Sequence, residues 1–108
     1  MKRIEHGDCV YFVGQNGREN WALLDQSEPT DMFIHLVDCP SCYVIITPKN
    51  ICDSEFTITD ILYGCVLCKK QSENKMKVLY TEVDNVKKGK CVGEVYFKDM
   101  ELVTVITL

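Results

Sequence analysis

The stretch Tyr11–Thr47, YFVGQNGRENWALLDQSEPTDMFIHLVDCPSCYVIIT, decides how this chain folds. An apolar strand over Cys9–Val13 stops at Gly14, because Gly14-Gln15-Asn16-Gly17 is poor in β-formers and rich in turn residues. Asn16 followed three residues later by Glu19 is the pattern of a reciprocal N-terminal cap. It predicts a helix over about Gly17 to Asp25 that buries Trp21 and Leu24, with Ala22 or Leu23 alongside. Met32 to Val37 then alternates with period two, Met32, Ile34 and Leu36 on one face and Phe33, His35 and Val37 on the other. Tyr43 to Thr47 is the next strand, joined to it by a short hairpin around Cys39-Pro40-Ser41.

Outward from this stretch, Thr57 with Asp60 at the reciprocal position starts a second helix. Its apolar stripe is read as Ile58, Ile61, Leu62, Cys65 and Cys68, with Gly64 inside it. Strands are expected over Met76–Val83, Val92–Phe97 and Leu102–Thr107, with a basic turn at 84–90. The expected order is βαββαβββ, an α+β class: one small domain over 1–108, a mostly antiparallel sheet with two α-helices packed on it.

The whole chain sets the bounds. At 108 residues and 46% apolar it holds one core without staples. No apolar run reaches membrane-spanning length, and Met1 to Asp8 carries no apolar signal-peptide region. Seven cysteines, an odd number, then point to thiols in a reducing compartment, so a cytoplasmic location is expected. The net charge is −4, yet between Lys69 and Lys90 seven lysines face three acids, a local excess of four positive charges. An acidic chain can carry a local positive field in this way.

Several constellations invite chemistry. Cys39/Cys42 and Cys65/Cys68 have zinc-site spacing, but Cys65 and Cys68 fall on the apolar stripe of a helix, where cysteine acts as a small hydrophobe. Cys39-Pro40-Ser41-Cys42 leads into a strand, without the helix N-terminus that activates a redox thiol. No metal and no cofactor are therefore expected. His35 has Asp31 and Asp38 nearby in sequence, but no nucleophile or phosphate-binding motif accompanies it, so no enzyme is expected. The turn Gly14 to Arg18, running into a capped helix, offers amides and a guanidinium to an anion.

Gly14-x-Asn16-x-x-Glu19-Asn20, Asp31-x-Phe33-x-His35 and Pro40-Ser41-x-x-Val44-Ile45-Ile46 together resemble the signature of the NFACT-R domain. That domain is the small RNA-binding module of ribosome-quality-control factors, also found as a stand-alone form. The resemblance continues through Ile58-x-Asp60, Cys68-Lys69-Lys70-x-Ser72, Val78-x-Tyr80-Thr81, Asn85-Val86-Lys87-Lys88 and Gly93-x-Val95, in order along nearly the whole chain. Where the family has Gly-Ser-His after the proline, this chain has Ser41-Cys42-Tyr43. The large factors' coiled coil and N-terminal domains lie outside the match, and roles that need them do not carry over.

The resemblance implies a nucleic-acid-binding module for structured RNA, tRNA or rRNA, in translation or ribosome quality control. Asn16, Arg18, Asn20, His35 and Tyr43 would contact it, and Lys69, Lys70, Lys87, Lys88 and Lys90 would supply charge against its backbone. The alternative is a protein-interaction adaptor that keeps the fold without RNA affinity, as the acidic total charge permits.

Overall fold

The computed structural model describes residues 1–37, 43–49, 56–68 and 77–107. The expected Cys39–Ser41 hairpin, the Cys39/Cys42 pair, Lys69 and Lys70 lie outside the described residues. Among the described ones, no helix is long and apolar enough to cross a membrane.

The chain is α+β. Six antiparallel strands form the main sheet in the order β1-β2-β4-β3-β5-β8, and β6 and β7 form a separate two-stranded ribbon. The strands are β1 (Lys2–His6), β2 (Cys9–Val13), β3 (Met32–Leu36), β4 (Val44–Pro48), β5 (Lys77–Glu82), β6 (Val86–Lys88), β7 (Val95–Phe97) and β8 (Thr104–Thr107). The helices are α1 (Gly17–Gln26) and α2 (Ile58–Cys68). β3 pairs with β4 through Phe33↔Ile45 and with β5 through His35↔Leu79, which makes it a central strand.

Because β3 and β4 are covered on both sides, both sets of alternating residues are apolar. On one face Tyr11, Ile34, Leu36, Val44, Ile46 and Val78 meet Ile61, Cys65 and Cys68 of α2. On the other, Phe33, Tyr43, Ile45 and Leu79 meet Leu23 of α1, with Val86, Val95 and Phe97 of the ribbon packed alongside. The sheet is thus a middle layer, with α2 on one side and α1 plus the ribbon on the other.

Both helix starts fall where the caps predict. Thr57 Oγ1 accepts from the Asp60 amide at 3.2 Å, and the Asp60 carboxylate accepts from the Thr57 amide at 3.0 Å. The α2 stripe needs correction. Ile61, Gly64, Cys65 and Cys68 face the sheet, whereas Ile58 and Leu62 lie outside it, 58% and 39% exposed. A Cβ on Gly64 would stand 2.5 Å from Ile34 Cδ1 and 3.2 Å from Ile46 Cδ1. The missing side chain lets the helix approach on that line, and Ile58 and Leu62 roll to the rim. Burial also pushes the Cys65 thiol up to about 11, the behaviour of an inert core thiol.

Two strands were not expected. β1 pairs with β2 from Lys2↔Val13 to His6↔Cys9, across a tight turn with Gly7 at φ 59°. Four of its five residues are polar, and its one apolar residue is Ile4. The two-residue Gly7-Asp8 connection is the sequence signal that marks the hairpin. β1 is held from outside as well, since the His6 ring stacks on Tyr63 of α2 at 3.8 Å and 7°. The expected basic turn at 84–90 contains β6, preceded by a 3-10 turn at Val83–Asn85. The strand expected from Val92 begins only at Val95, because Gly93 takes φ 93° and the Glu94 amide closes a turn onto the Cys91 carbonyl. The last strand begins at Thr104, after a 3-10 turn over Met100–Leu102 that Asp99 caps.

Candidate nucleic-acid interface

Among the described residues, Asn20, His35 and Tyr43 lie on the face of the sheet that carries α1 and the ribbon, Asn16 and Arg18 stand at the head of α1, and Lys87, Lys88 and Lys90 belong to the ribbon and its tip. The tip of the ribbon, residues 89–94, touches Tyr43 and the head of α1.

At the head of α1, Asn16 is extended (φ −154°) and its Oδ1 accepts from the Glu19 amide at 3.0 Å. Glu19 reaches back as expected, but its Oε1 accepts from the Gln15 amide, 3.0 Å away, one residue before the cap. Its other oxygen lies 3.5 Å from Asn16 Nδ2. A carboxylate therefore stands where the anion cradle was expected, and it repels a phosphate at that point. Arg18 is exposed in the first turn, and the Met1 ammonium lies 2.6 Å from Glu19 Oε1 and offsets part of that carboxylate's charge. Replacing Asn16 by Ala is expected to lower stability by about 1 kcal/mol, read as a shifted urea midpoint. An unshifted midpoint would show that this cap holds nothing.

Asn20 and Tyr43 lie inside. Asn20 is 4% exposed and Tyr43 1%, so in this conformation neither offers a surface to a ligand. The Gly14 amide donates to the Tyr43 carbonyl at 3.0 Å, and the Tyr43 amide donates to Asn20 Oδ1 at 3.2 Å. A Cβ on Gly14 would stand 2.1 Å from that same oxygen. The turn, the helix and the start of β4 are thereby laced together. The Tyr43 hydroxyl donates to the Gly93 carbonyl, and burial raises its pKa to about 12, so it stays a donor at neutral pH.

The ribbon tip is fastened to α1 at two further points. Gly93 and Gly17 touch backbone to backbone, such that a Cβ on Gly93 would lie 2.8 Å from Gly17 Cα. The Trp21 indole donates to the Glu94 carbonyl at 3.0 Å. Trp21 is thus only half-buried, as is Leu24, and the residues α1 buries are Leu23, one of the expected companions, and Asn20, which was not expected. His35 is half-buried on the same face as Phe33, its ring edge-on to Tyr43 at 4.9 Å and 83°. One chain of contacts, His35 to Tyr43 to Gly93 to Gly17, therefore joins the sheet, the ribbon tip and the head of α1.

The cations divide. Lys88 turns toward α1, with Nζ 2.6 Å from the Asp25 carboxylate and 5.4 Å from the centre of the Trp21 ring. Lys87 and Lys90 are exposed, and among the described residues neither makes an ion pair. The sequence reading missed the Trp21–Lys88 contact and the Gly17–Gly93 approach. Their only signals were the single Trp and a glycine placed inside an expected strand.

No family model matches the chain, and none of the curated proteins matches it. Among solved structures, the C-terminal part of the fibronectin/fibrinogen-binding protein from Streptococcus suis has a similar fold, with TM-score 0.79 and 19% identity. The match covers 94% of this chain and 42% of that one, so the present chain spans less than half the streptococcal chain's length. At this identity the likeness establishes the fold.

Proposed function

We propose that this chain is a nucleic-acid-binding module of the NFACT-R kind that takes structured RNA such as tRNA, in translation or ribosome quality control. The observation that carries the reading is the clamp of the ribbon tip on α1. It fixes the ribbon, which bears Lys87 and Lys90, to the helix that bears Arg18, over the face of the sheet where His35 lies, and among the described residues neither lysine makes an ion pair. Asn20 and Tyr43 serve here as positioning residues: they hold the turn and the tip, and Tyr43 walls the His35 ring. Phosphates would meet the exposed cations, and His35 would meet base or ribose.

Fluorescence anisotropy with tRNA at several salt concentrations tests this. Phosphate contacts release counterions, so affinity should fall with salt, by a slope of about −0.7 to −0.9 per contact. Replacing Lys87 and Lys90 together by Ala should flatten that slope by about one to two units and weaken all RNAs alike. His35→Ala should leave the slope nearly unchanged and reduce discrimination between RNAs. Wild type that binds no RNA tighter than millimolar at low salt would end the proposal.

A second reading, the protein-interaction adaptor, is favoured by one feature of the opposite face. Ile58, Leu62 and Val66 lie 58%, 39% and 60% exposed at i, i+4, i+8 along α2, an apolar stripe of the kind that meets a partner helix. The Streptococcus suis protein is itself named for binding two proteins, fibronectin and fibrinogen. The two readings use different faces, so Leu62→Glu should leave RNA titrations untouched while abolishing association through α2.

A further inference from the structure

We infer that Tyr96 is a stacking platform for an unpaired base, with Lys87 beside it to meet the flanking phosphate. The inference rests on the RNA reading above and narrows it to RNA that offers a single-stranded end, loop or bulge.

The argument comes from the two faces of the β6–β7 ribbon. Its pairs are Val86↔Phe97, Lys87↔Tyr96 and Lys88↔Val95. Val86, Val95 and Phe97 pack toward the core, and Lys88 turns the same way onto Trp21. Alternation then sets Lys87 and Tyr96 on the outer face, directly opposite one another. Tyr96 is 50% exposed, and Lys87 is exposed beside it. The ring is anchored as well as exposed. It sits on a paired strand, and the strand is fixed at its start by the Trp21–Glu94 and Gly93–Gly17 contacts. The neighbouring Glu94 carboxylate, by hydrogen bonding and by its charge, raises the Tyr96 phenol above its usual value.

An aromatic ring with a cation paired opposite it and an acid two residues before it in the chain suits a base better than a phosphate rail. The acid repels a backbone laid along the ribbon, while Lys87 draws the phosphate to its own side. Every base has a face to stack, but in a continuous duplex those faces are covered by neighbouring pairs, so a stacking residue selects unpaired nucleotides.

The test is anisotropy with two labelled RNAs of equal length, a stem-loop with an unpaired 3′ end and a fully paired blunt duplex. Tyr96→Ala should weaken the stem-loop about 10-fold and the duplex little, with an unchanged salt slope. Tyr96→Phe should keep wild-type affinity, since the ring stacks and the hydroxyl does not. Tyr96→Thr, which preserves strand propensity, should reproduce the loss if the alanine variant folds poorly. Wild-type affinity of the Thr and Ala variants for the stem-loop, or equal loss on both RNAs, would overturn this inference while leaving the RNA reading intact. Wild type that binds neither RNA would remove both.

Discussion

The Gly93→Ala variant is expected to lose about 3 kcal/mol of stability, the joint cost of two effects acting at one Cβ. Gly93 has φ 93°, a region that L-residues enter at about 1–2 kcal/mol. The new methyl would also stand 2.8 Å from Gly17 Cα, and overpacking of this kind costs about 1–3 kcal/mol. The obstacle is the backbone of α1, which cannot rotate aside as a side-chain end would. In a domain of this size the loss amounts to a drop of roughly 12–24 °C in melting temperature. Local relief is available if the ribbon tip lifts away from α1, and that outcome has its own signature. The chain's one tryptophan donates to Glu94 at the clamp, so native-state emission of Trp21 should shift to the red in the variant. A wild-type denaturant midpoint with unshifted emission would show that the tip is not clamped on α1. Because the tip carries Lys90 and borders Lys87, a lifted tip should also weaken RNA binding in proportion to the spectral change.

The features that were legible in sequence are those decided within four or five residues. Asn16 and Thr57 start helices because a cap is a contact between a side chain and amides two or three residues on. Strand β3 was legible because period-two alternation needs no partner to be recognised. The edge strand β1 was not, because a strand at the margin of a sheet needs little apolar content, and its single isoleucine leaves no pattern. In α2 nearly every residue is apolar, so periodicity gave the helix but not its orientation. That was set by Gly64 meeting Ile34 and Ile46, residues 30 and 18 positions earlier in the chain.

The same distance effect governs the site. Asn20 and Tyr43 have the chemistry of ligand contacts, and nothing local tells that Gly14 and Gly93 will close over them. In sequence His35 has Asp31 and Asp38 nearby but no nucleophile or phosphate-binding motif beside it. In the fold its ring packs against Tyr43 and Phe33, an aromatic setting that spacing alone could not show. The lysine-rich stretch was visible as composition, yet composition could not separate Lys88, turned to Asp25, from Lys87 and Lys90.

The second large effect is expected at Gly14, where a double-mutant cycle with Asn20 isolates the contact that seats Tyr43. Gly14→Ala should cost about 2–3 kcal/mol, because its Cβ would fall 2.1 Å from Asn20 Oδ1 and 3.1 Å from the Asn20 amide nitrogen. Asn20→Ala should cost about 2 kcal/mol for a different reason: the buried Tyr43 amide loses its acceptor. In the double variant the 2.1 Å collision no longer exists, since the oxygen that caused it is gone, and only the tighter approach to the Asn20 backbone remains. The two costs should therefore fail to add, with the double variant about 1 kcal/mol or more better than their sum. Urea unfolding of the four proteins measures this directly. Strict additivity would mean that Gly14 is not pressed on Asn20, and the lacing of turn, helix and β4 would have to be abandoned. Function offers an independent check on the same cycle. His35 stands edge-on to Tyr43, so a displaced Tyr43 moves the wall of the histidine. Gly14→Ala should then lower discrimination between RNAs as His35→Ala does, and so should Asn20→Ala, which takes the acceptor from the Tyr43 amide.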